Sequence, residues 1–259
     1  MRAWRWARML AHAVAATFIL RFLFPRTDAS GHRRWVQWWA AHLLRVLGVR
    51  LAVEGTPPAA GAPAMVAANH VSWLDIFAIS AAHPTRFVAK NEIRDWPLAG
   101  WIAERAGTIF LRRELRRDTA RINAIVHEAL QEGDCVGLFP EGTTSDGEQL
   151  LRFHSSLFEA AVANQARVHP CAIRYERPDG RICRAMAFVG EVSFMQSVGL
   201  AIRQRGVVVR VRFGDAIDTA DLDRREVTRR AHASVASLLL PPATGTVPNA
   251  ASDPQAASP

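Results

Sequence analysis

His70 and Asp75 lie close together in the stretch Asn69-His70-Val71-Ser72-Trp73-Leu74-Asp75, and Phe139-Pro140-Glu141-Gly142-Thr143-Thr144-Ser145 follows farther along the chain. The first stretch pairs a base with a carboxylate that could orient it. The second sets a carboxylate on a glycine-containing turn. Together they point to a hydroxyl group made nucleophilic beside a pocket for a polar substrate. At ~100° per residue, the spacing of His70 and Asp75 would rotate them about 140° apart on one continuous helix, and they could not meet. If His70 precedes a helix and Asp75 sits in its first turn, the imidazole can fold back onto the carboxylate. Asp75 then holds one ring nitrogen and raises the basicity of the other, which suits removal of a hydroxyl proton. Taken alone, such a pair also occurs as a helix-capping histidine with a surface aspartate.

Glu141 has two readings, a solvated turn carboxylate or a holder of substrate hydroxyls with the Gly142 and Thr143 amides open to an anion. Arg112 and Arg113 end a predicted strand and are candidates for phosphate contact. They could equally form a solvated basic cluster with Arg116 and Arg117. Lys90, the only lysine in the chain, joins Arg113, Glu141, Gly142 and Thr143 as a candidate substrate-binding residue.

These groups need elements to position them. Met65 to Ala68 reads as a short apolar strand that ends at Asn69-His70, and Ser72 as the N-cap of a helix running to Ala82. Thr85 to Ala89 is predicted as a strand, Trp96 to Ala106 as a helix, and Gly107 to Leu111 as a strand ending at the two arginines. Arg117 to Glu132 has Ile122, Ile125, Val126 and Leu130 on one helical face. Cys135 to Phe139 is an apolar strand, Leu157 to Asn164 a helix and Val168 to Arg174 a strand. Ala185 to Val189 and Val207 to Phe213 read as late strands, and Arg224 to Leu239 as a final helix. Strands alternating with helices predict an α/β domain, a mixed central sheet flanked by helices. Three polar clusters follow apolar strands, as sites in such sheets do.

The chain has 259 residues, 49% of them hydrophobic, enough for one α/β domain and an N-terminal extension. The formal charge is +8 and almost all of it is arginine, which suits phosphate or anionic-membrane partners. The basic residues are scattered and no nucleic-acid-binding motif occurs, so nucleic acid is not expected as a partner. Cys135, Cys171 and Cys183 have no metal-ligand spacing, and no metal site is predicted.

At the N-terminus, Arg2, Arg5 and Arg8 alternate with Trp4 and Trp6 and lead into an apolar run from Met9 to Phe24. That run falls short of the ~20 residues of a clean span, and no cleavage site directly follows it. From Arg34 to Leu51, Trp35, Trp38, Trp39, Leu43, Leu44 and Leu47 recur at helical spacing among arginines. Two basic, tryptophan-rich helices in a row predict a membrane-interface hairpin facing anionic lipids, with a single short span through Met9–Phe24 as the alternative. The predicted organisation is an anchor over 1–53, a catalytic α/β domain over 54–240 that begins with a loop from Glu54 to Ala64, and a disordered tail over 241–259.

Four stretches, in order, carry a resemblance. His70-Val71-Ser72-Trp73-Leu74-Asp75, Gly107-Thr108-Ile109-Phe110-Leu111-Arg112-Arg113, Phe139-Pro140-Glu141-Gly142-Thr143 and Val168-His169-Pro170-Cys171-Ala172-Ile173 resemble the four blocks of glycerolipid acyltransferases of the lysophosphatidic acid acyltransferase family. The likeness runs over residues 35–217. It implies that His70 deprotonates the free hydroxyl of a lysolipid while Asp75 orients it, and that the hydroxyl attacks the thioester of acyl-CoA or acyl-carrier protein. Arg113, Glu141 and Gly142 would bind the acceptor head group. No cofactor, metal or covalent acyl-enzyme is implied, and the chain would work on the cytoplasmic face of the inner membrane. Two positions depart from the family pattern. Thr144 stands where many members have arginine, and Phe153-His154-Ser155-Ser156 stands where a Lys-Gly pair is common. Both features resemble the branch that acylates lyso-ornithine lipid, so phosphatidic acid synthesis and ornithine lipid synthesis are both expected readings. A membrane-surface esterase lacks its Gly-x-Ser-x-Gly elbow here. A non-catalytic lipid-binding protein would leave the intact His-Asp pair without a use.

Overall fold

The computed structural model describes residues 2–95, 100, 103–104, 107–111 and 116–240. Seven strands form one sheet in the order β1-β7-β6-β2-β5-β3-β4. They are β1 (Arg50–Glu54), β2 (Ala64–Ala68), β3 (Arg86–Lys90), β4 (Ile109–Leu111), β5 (Cys135–Leu138), β6 (Arg167–Glu176) and β7 (Val208–Phe213). β7 runs antiparallel to β6, and every other neighbouring pair is parallel. The sheet is therefore mixed, as expected.

β2 sits near the centre, and all five of its residues are buried. A strand covered on both faces needs an unbroken apolar run, and Ala64-Met65-Val66-Ala67-Ala68 supplies one. Its side chains alternate between two cores. Ala64, Val66 and Ala68 pack with Leu43 and Leu44 of α2 (Ala29–Leu47), Ala78 and Ile79 of α3 (Asp75–Ala82), and Val198 and Ile202 of a later helix, Phe194–Arg203. Met65 and Ala67 pack on the other face with Val126 and Leu130 of α4 (Arg116–Gln131), Ala161 of α5 (Glu159–Ala163), and Val227 and Val235 of the last helix. The two later helices are α6 (Phe194–Arg203) and α7 (Arg224–Leu239).

The helix ends follow local chemistry. Asp28 caps α2 by accepting from the Gly31 amide at 2.8 Å, and Gly48 ends it in the left-handed conformation. Ser193 and Gln196 form a capping box on α6. Asp223 caps α7, whose bounds match the predicted helix.

Four sequence expectations change. α2 ends at Leu47, and Arg50–Glu54 is an edge strand in parallel register with β7 from Val208 to Arg212. The residues predicted as anchor thus include part of the sheet. α3 begins at Asp75 with Leu74 at its N-cap position, so Ser72 is not the cap. The segment predicted as a strand from Ala185 to Val189 holds a short 3-10 turn at Arg184–Met186. Its apolar character is explained by Met186 and Ala187, which are buried without joining the sheet. The helix predicted from Leu157 to Asn164 is instead a 3-10 turn at Ser155–Phe158 followed by α5. Most of the predicted helix over 96–106 lies outside the described residues, as does 241–259.

The N-terminal pair of helices is present. α1 (Arg2–Phe18) continues as a π-helical turn at Ile19–Leu23 and a 3-10 turn at Phe24–Arg26, then turns into α2. The continuous stretch Trp4–Arg26 is long and apolar enough to cross a membrane by length and composition. Trp4, Leu10, Val14, Phe18 and Phe22 are exposed along it. Arg5 faces inward instead, donating to the carbonyls of Ile202 and, at 2.8 Å, Gln204 at the end of α6. A cation at a helix C-terminus meets its exposed carbonyls and the negative end of its dipole.

Candidate active site

β2 and β5 are neighbours, with Ala67 opposite Leu138, so the chain leaving each strand arrives at the same place. That adjacency brings the His70 stretch against the Glu141 turn. Asn69 makes the exit from β2. Its side-chain amide donates to the Ile173 carbonyl at 3.0 Å and its side-chain oxygen accepts from the Ile173 amide at 2.7 Å.

His70 then precedes α3 and Asp75 opens it, the arrangement that lets the pair meet. His70 Nδ1 lies 2.8 Å from Asp75 Oδ2. The same oxygen accepts from the backbone amides of Val71 at 2.6 Å and Ser72 at 2.9 Å. Asp75 Oδ1 accepts from the Tyr175 hydroxyl at 2.7 Å. Asp75 is fully buried, so these donors stand in for the water that an ionised carboxylate would otherwise need. With Nδ1–H donated to the carboxylate, Nε2 keeps its lone pair. The His70 ring stacks on Phe139, with centroids 3.9 Å apart and planes 10° from parallel. The Ser145 amide donates to the His70 carbonyl at 2.8 Å. Backbone, ring face and Nδ1 are all fixed.

Glu141 is buried to within 4% of full cover. Its Oε1 accepts from the His70 amide at 2.8 Å and its Oε2 from the Leu151 amide at 3.0 Å. Burial pushes its carboxyl above the usual carboxylate range, against the opposing pull of the two backbone donors. Both oxygens are thus engaged with backbone, which makes Glu141 a brace for His70 and for the following loop. Gly142 takes a positive φ of 73°, a conformation that glycine adopts without strain, and its amide donates to the Phe139 carbonyl at 3.0 Å. That amide is therefore spent inside the turn and is not open to an anion. Thr143 is exposed at the rim. The Thr144 hydroxyl donates to the Phe188 carbonyl, and the Phe188 amide donates to the Val71 carbonyl at 2.8 Å.

A cleft of about 660 Å³ opens over these groups, lined by His70, Glu141, Gly142, Thr143, Thr144, His154 and Phe188 with apolar neighbours. No described arginine or lysine side chain lines it. Arg112 and Arg113 lie outside the described residues, and of Lys90 only its place at the end of β3 is described. A second cavity of about 440 Å³ adjoins the cleft and shares Trp73, Ile76, Ala89 and Ile93 with it. Its other walls come largely from α1 and α2, among them Met9, Ala13, Ala40 and Leu43.

Tyr175 and the Leu151 amide were missed from sequence. Tyr175 lies far from the motif in sequence, and only the β2–β6 pairing brings it close. Its one sequence signal is that it is the only tyrosine in the chain. The three cysteines are buried and unpaired, and burial pushes the Cys135 thiol up to about 12. Among the described residues, no group of three or more His, Cys, Asp or Glu side chains is arranged to hold a metal ion.

Comparison with known proteins converges on one chemistry. Residues 50–174 match the family model described as Acyltransferase. A lyso-ornithine lipid O-acyltransferase of Pseudomonas aeruginosa is 38% identical over 227 residues, 87% of this chain and 86% of that protein. A 1-acyl-sn-glycerol-3-phosphate acyltransferase of Neisseria meningitidis is 38% identical over 71% of each chain. The crystal structure of PlsC from Thermotoga maritima, a 1-acyl-sn-glycerophosphate acyltransferase, superposes with a TM-score of 0.64 at 22% identity, covering 92% of this chain and 96% of that one. At that identity the likeness establishes the fold.

Proposed function

From the premise that this chain belongs to the Acyltransferase family, we propose that it moves a fatty acyl group from the thioester of acyl-CoA or acyl-carrier protein to the free hydroxyl of lysophosphatidic acid, making phosphatidic acid. The observation that carries the mechanism is the His70–Asp75 pair, whose histidine lines the cleft. His70 Nε2 takes the proton of the acceptor hydroxyl as its oxygen attacks the thioester carbonyl. The carbon–sulfur bond then breaks, and the leaving thiolate takes the proton from His70. Asp75 holds the imidazolium formed between these steps. The acyl donor is a co-substrate, and the sequence of steps uses no cofactor.

The apolar cavity beside the cleft supports a place for the acyl chain, because a chain seated there would carry its thioester toward His70. Non-directional walls of this kind suit an alkyl tail. α1 and α2 would lie at the surface of the inner membrane on its cytoplasmic face, with arginines toward anionic lipid and tryptophans at the boundary. Glu141 acts by bracing His70. Arg113, Lys90 and Thr143 remain candidates for the acceptor head group, and Arg113→Ala is expected to raise the acceptor KM more than it lowers kcat. An unchanged KM would remove Arg113 from the site.

A second reading, acylation of lyso-ornithine lipid, draws on particular observations. Thr144 is tied to Phe188 at a position where many family members have arginine, and the described lining of the cleft carries no arginine or lysine side chain. Relatives named for that acceptor cover most of this chain. The experiment is a competition in one tube. Enzyme receives labelled palmitoyl-CoA with equal lysophosphatidic acid and lyso-ornithine lipid, with His70→Ala as the control. Label in phosphatidic acid supports the first reading. Label in ornithine lipid replaces it with the second, and label in neither overturns both.

A further inference from the structure

Asp75 Oδ2 is occupied by His70 and two backbone amides, and its other oxygen has one described partner, the Tyr175 hydroxyl at 2.7 Å. Tyr175 is on β6, beyond the last residue of β2 in their register, so the sheet itself delivers it to the open oxygen. Both side chains are enclosed, Asp75 at 0% exposure and Tyr175 at 1%. Inside a site sealed from water, a phenol beside a carboxylate donates its proton, and a donor to an anion is worth more than one between neutral groups. Burial and the Asp75 charge push the Tyr175 phenol well above its usual range, which keeps the hydroxyl in its donating form.

We propose that Tyr175 is a positioning residue for the reaction, which sets the proton affinity of the His70–Asp75 pair by donating to the oxygen of Asp75 that His70 does not use. The inference rests on the reading of His70 as the base. It goes beyond that reading by giving the pair a third member that never touches substrate. The sign follows from the charge. A proton entering the pair lowers its negative charge, wherever it settles. A donor on Oδ1 favours the carboxylate and so holds that proton off. Removing the donor must therefore make protonation of the pair easier and move the acid limb of the pH–rate profile upward. The other described titratable groups acting on the pair are Glu141, from the turn after β5, and Cys171, on β6. Neither is altered by changing Tyr175.

The test exploits Tyr175 as the only tyrosine of the chain. Tyr175→Phe keeps the ring and removes the hydroxyl. The acid limb of its kcat/KM profile is expected to move up by about one pH unit, the scale of one charge-assisted hydrogen bond. On the acid side of the limb the rate should fall about tenfold, with a smaller loss toward the plateau and with donor and acceptor KM little changed. Growing the otherwise wild-type protein on 3-fluorotyrosine, and then 3,5-difluorotyrosine, substitutes this one site with progressively stronger donors. The acid limb should step downward in that series. Because the fluorinated proteins keep every side-chain contact, they decide the question even if Tyr175→Phe does not fold. A folded Phe variant or a fluorinated series with an unmoved acid limb would reduce Tyr175 to a packing residue. His70→Ala separates the two ideas. If activity survives without His70, the base assignment fails. If it is lost while the limb ignores Tyr175, only the present inference fails.

Discussion

Two adjoining cavities use opposite physics. In the His70 cleft nearly every named polar atom has an assigned partner. Asp75 takes four donors, Glu141 takes two backbone amides and the His70 ring lies flat on Phe139. The neighbouring cavity under α1 and α2 is walled mainly by apolar side chains, and it shares Trp73, Ile76, Ala89 and Ile93 with the cleft. Hydrogen bonds fix angles and positions to tenths of an ångström, whereas apolar packing fixes volume. A proton transfer needs the first and an alkyl chain needs only the second. The two regions should therefore fail differently when altered, the cleft in rate and the cavity in choice of donor.

The strongest way to break the comparison is His70→Ala. Acyl transfer should fall by about 10²–10⁴-fold, the range for loss of a general base, while sedimentation with anionic vesicles stays as in the wild type. Retained turnover would end the base assignment. Next comes Asn69→Ala, which leaves the amide and carbonyl of Ile173 unpaired in the interior. A loss of stability of roughly 1–3 kcal/mol per unpaired group is expected in urea denaturation, with a fall in kcat because His70 loses its footing. A stable, fully active variant would show that the exit from β2 needs no such clamp.

The cavity is sharpened by Ala13→Phe, which adds a ring to its wall. Competition between long-chain and short-chain acyl-CoA should shift about tenfold toward the short donor, a change typical of losing room for a few methylenes. The rate on the short donor should hold. An equal fall for both donors would place the acyl chain elsewhere. The smallest effect concerns pH. Burial raises the Glu141 carboxyl in the folded state, so its favourable contribution is complete below the ordinary value of 4.5 and is lost as pH rises through the raised one. Measured against Glu141→Gln, wild-type stability should decline over that window and then level off. A difference that is flat or rises with pH would mean that the backbone donors outweigh burial.

Local signals were legible and long-range ones were not. α7 could be read to its ends because Asp223 caps a helix with a regular apolar face. β2 and β5 were evident as apolar runs, and the motifs following them mark the cleft because strand ends gather at one edge of a parallel sheet. β1 was read as helix end and loop because its five residues are only partly buried, and they become a strand through β7, far away in sequence. The Ala185–Val189 segment was misread because burial and strand formation give the same apolar signal. Ser72 looked like a cap, yet α3 starts beyond it, at Asp75 after Leu74, and the Ser72 amide donates to the Asp75 carboxylate. Glu141 was read as a solvated turn carboxylate or a holder of substrate hydroxyls, and the backbone amides of His70 and Leu151 that donate to its two oxygens are invisible to any motif. Tyr175 had no local pattern at all.

The Asn69 side chain has a consequence for the motion of the site. Its amide imitates one more rung of the β2–β6 ladder, offering both a donor and an acceptor to Ile173 just past the last paired residues. The main chain is thereby released to turn toward His70 while the sheet ends without a frayed edge. A catalytic loop hung on such a rung shares the slow opening of the sheet rather than the fast motion of a surface turn. Its Ile173 amide should exchange with deuterium on the time scale of global unfolding, long after the amides at the rim around Thr143 have exchanged.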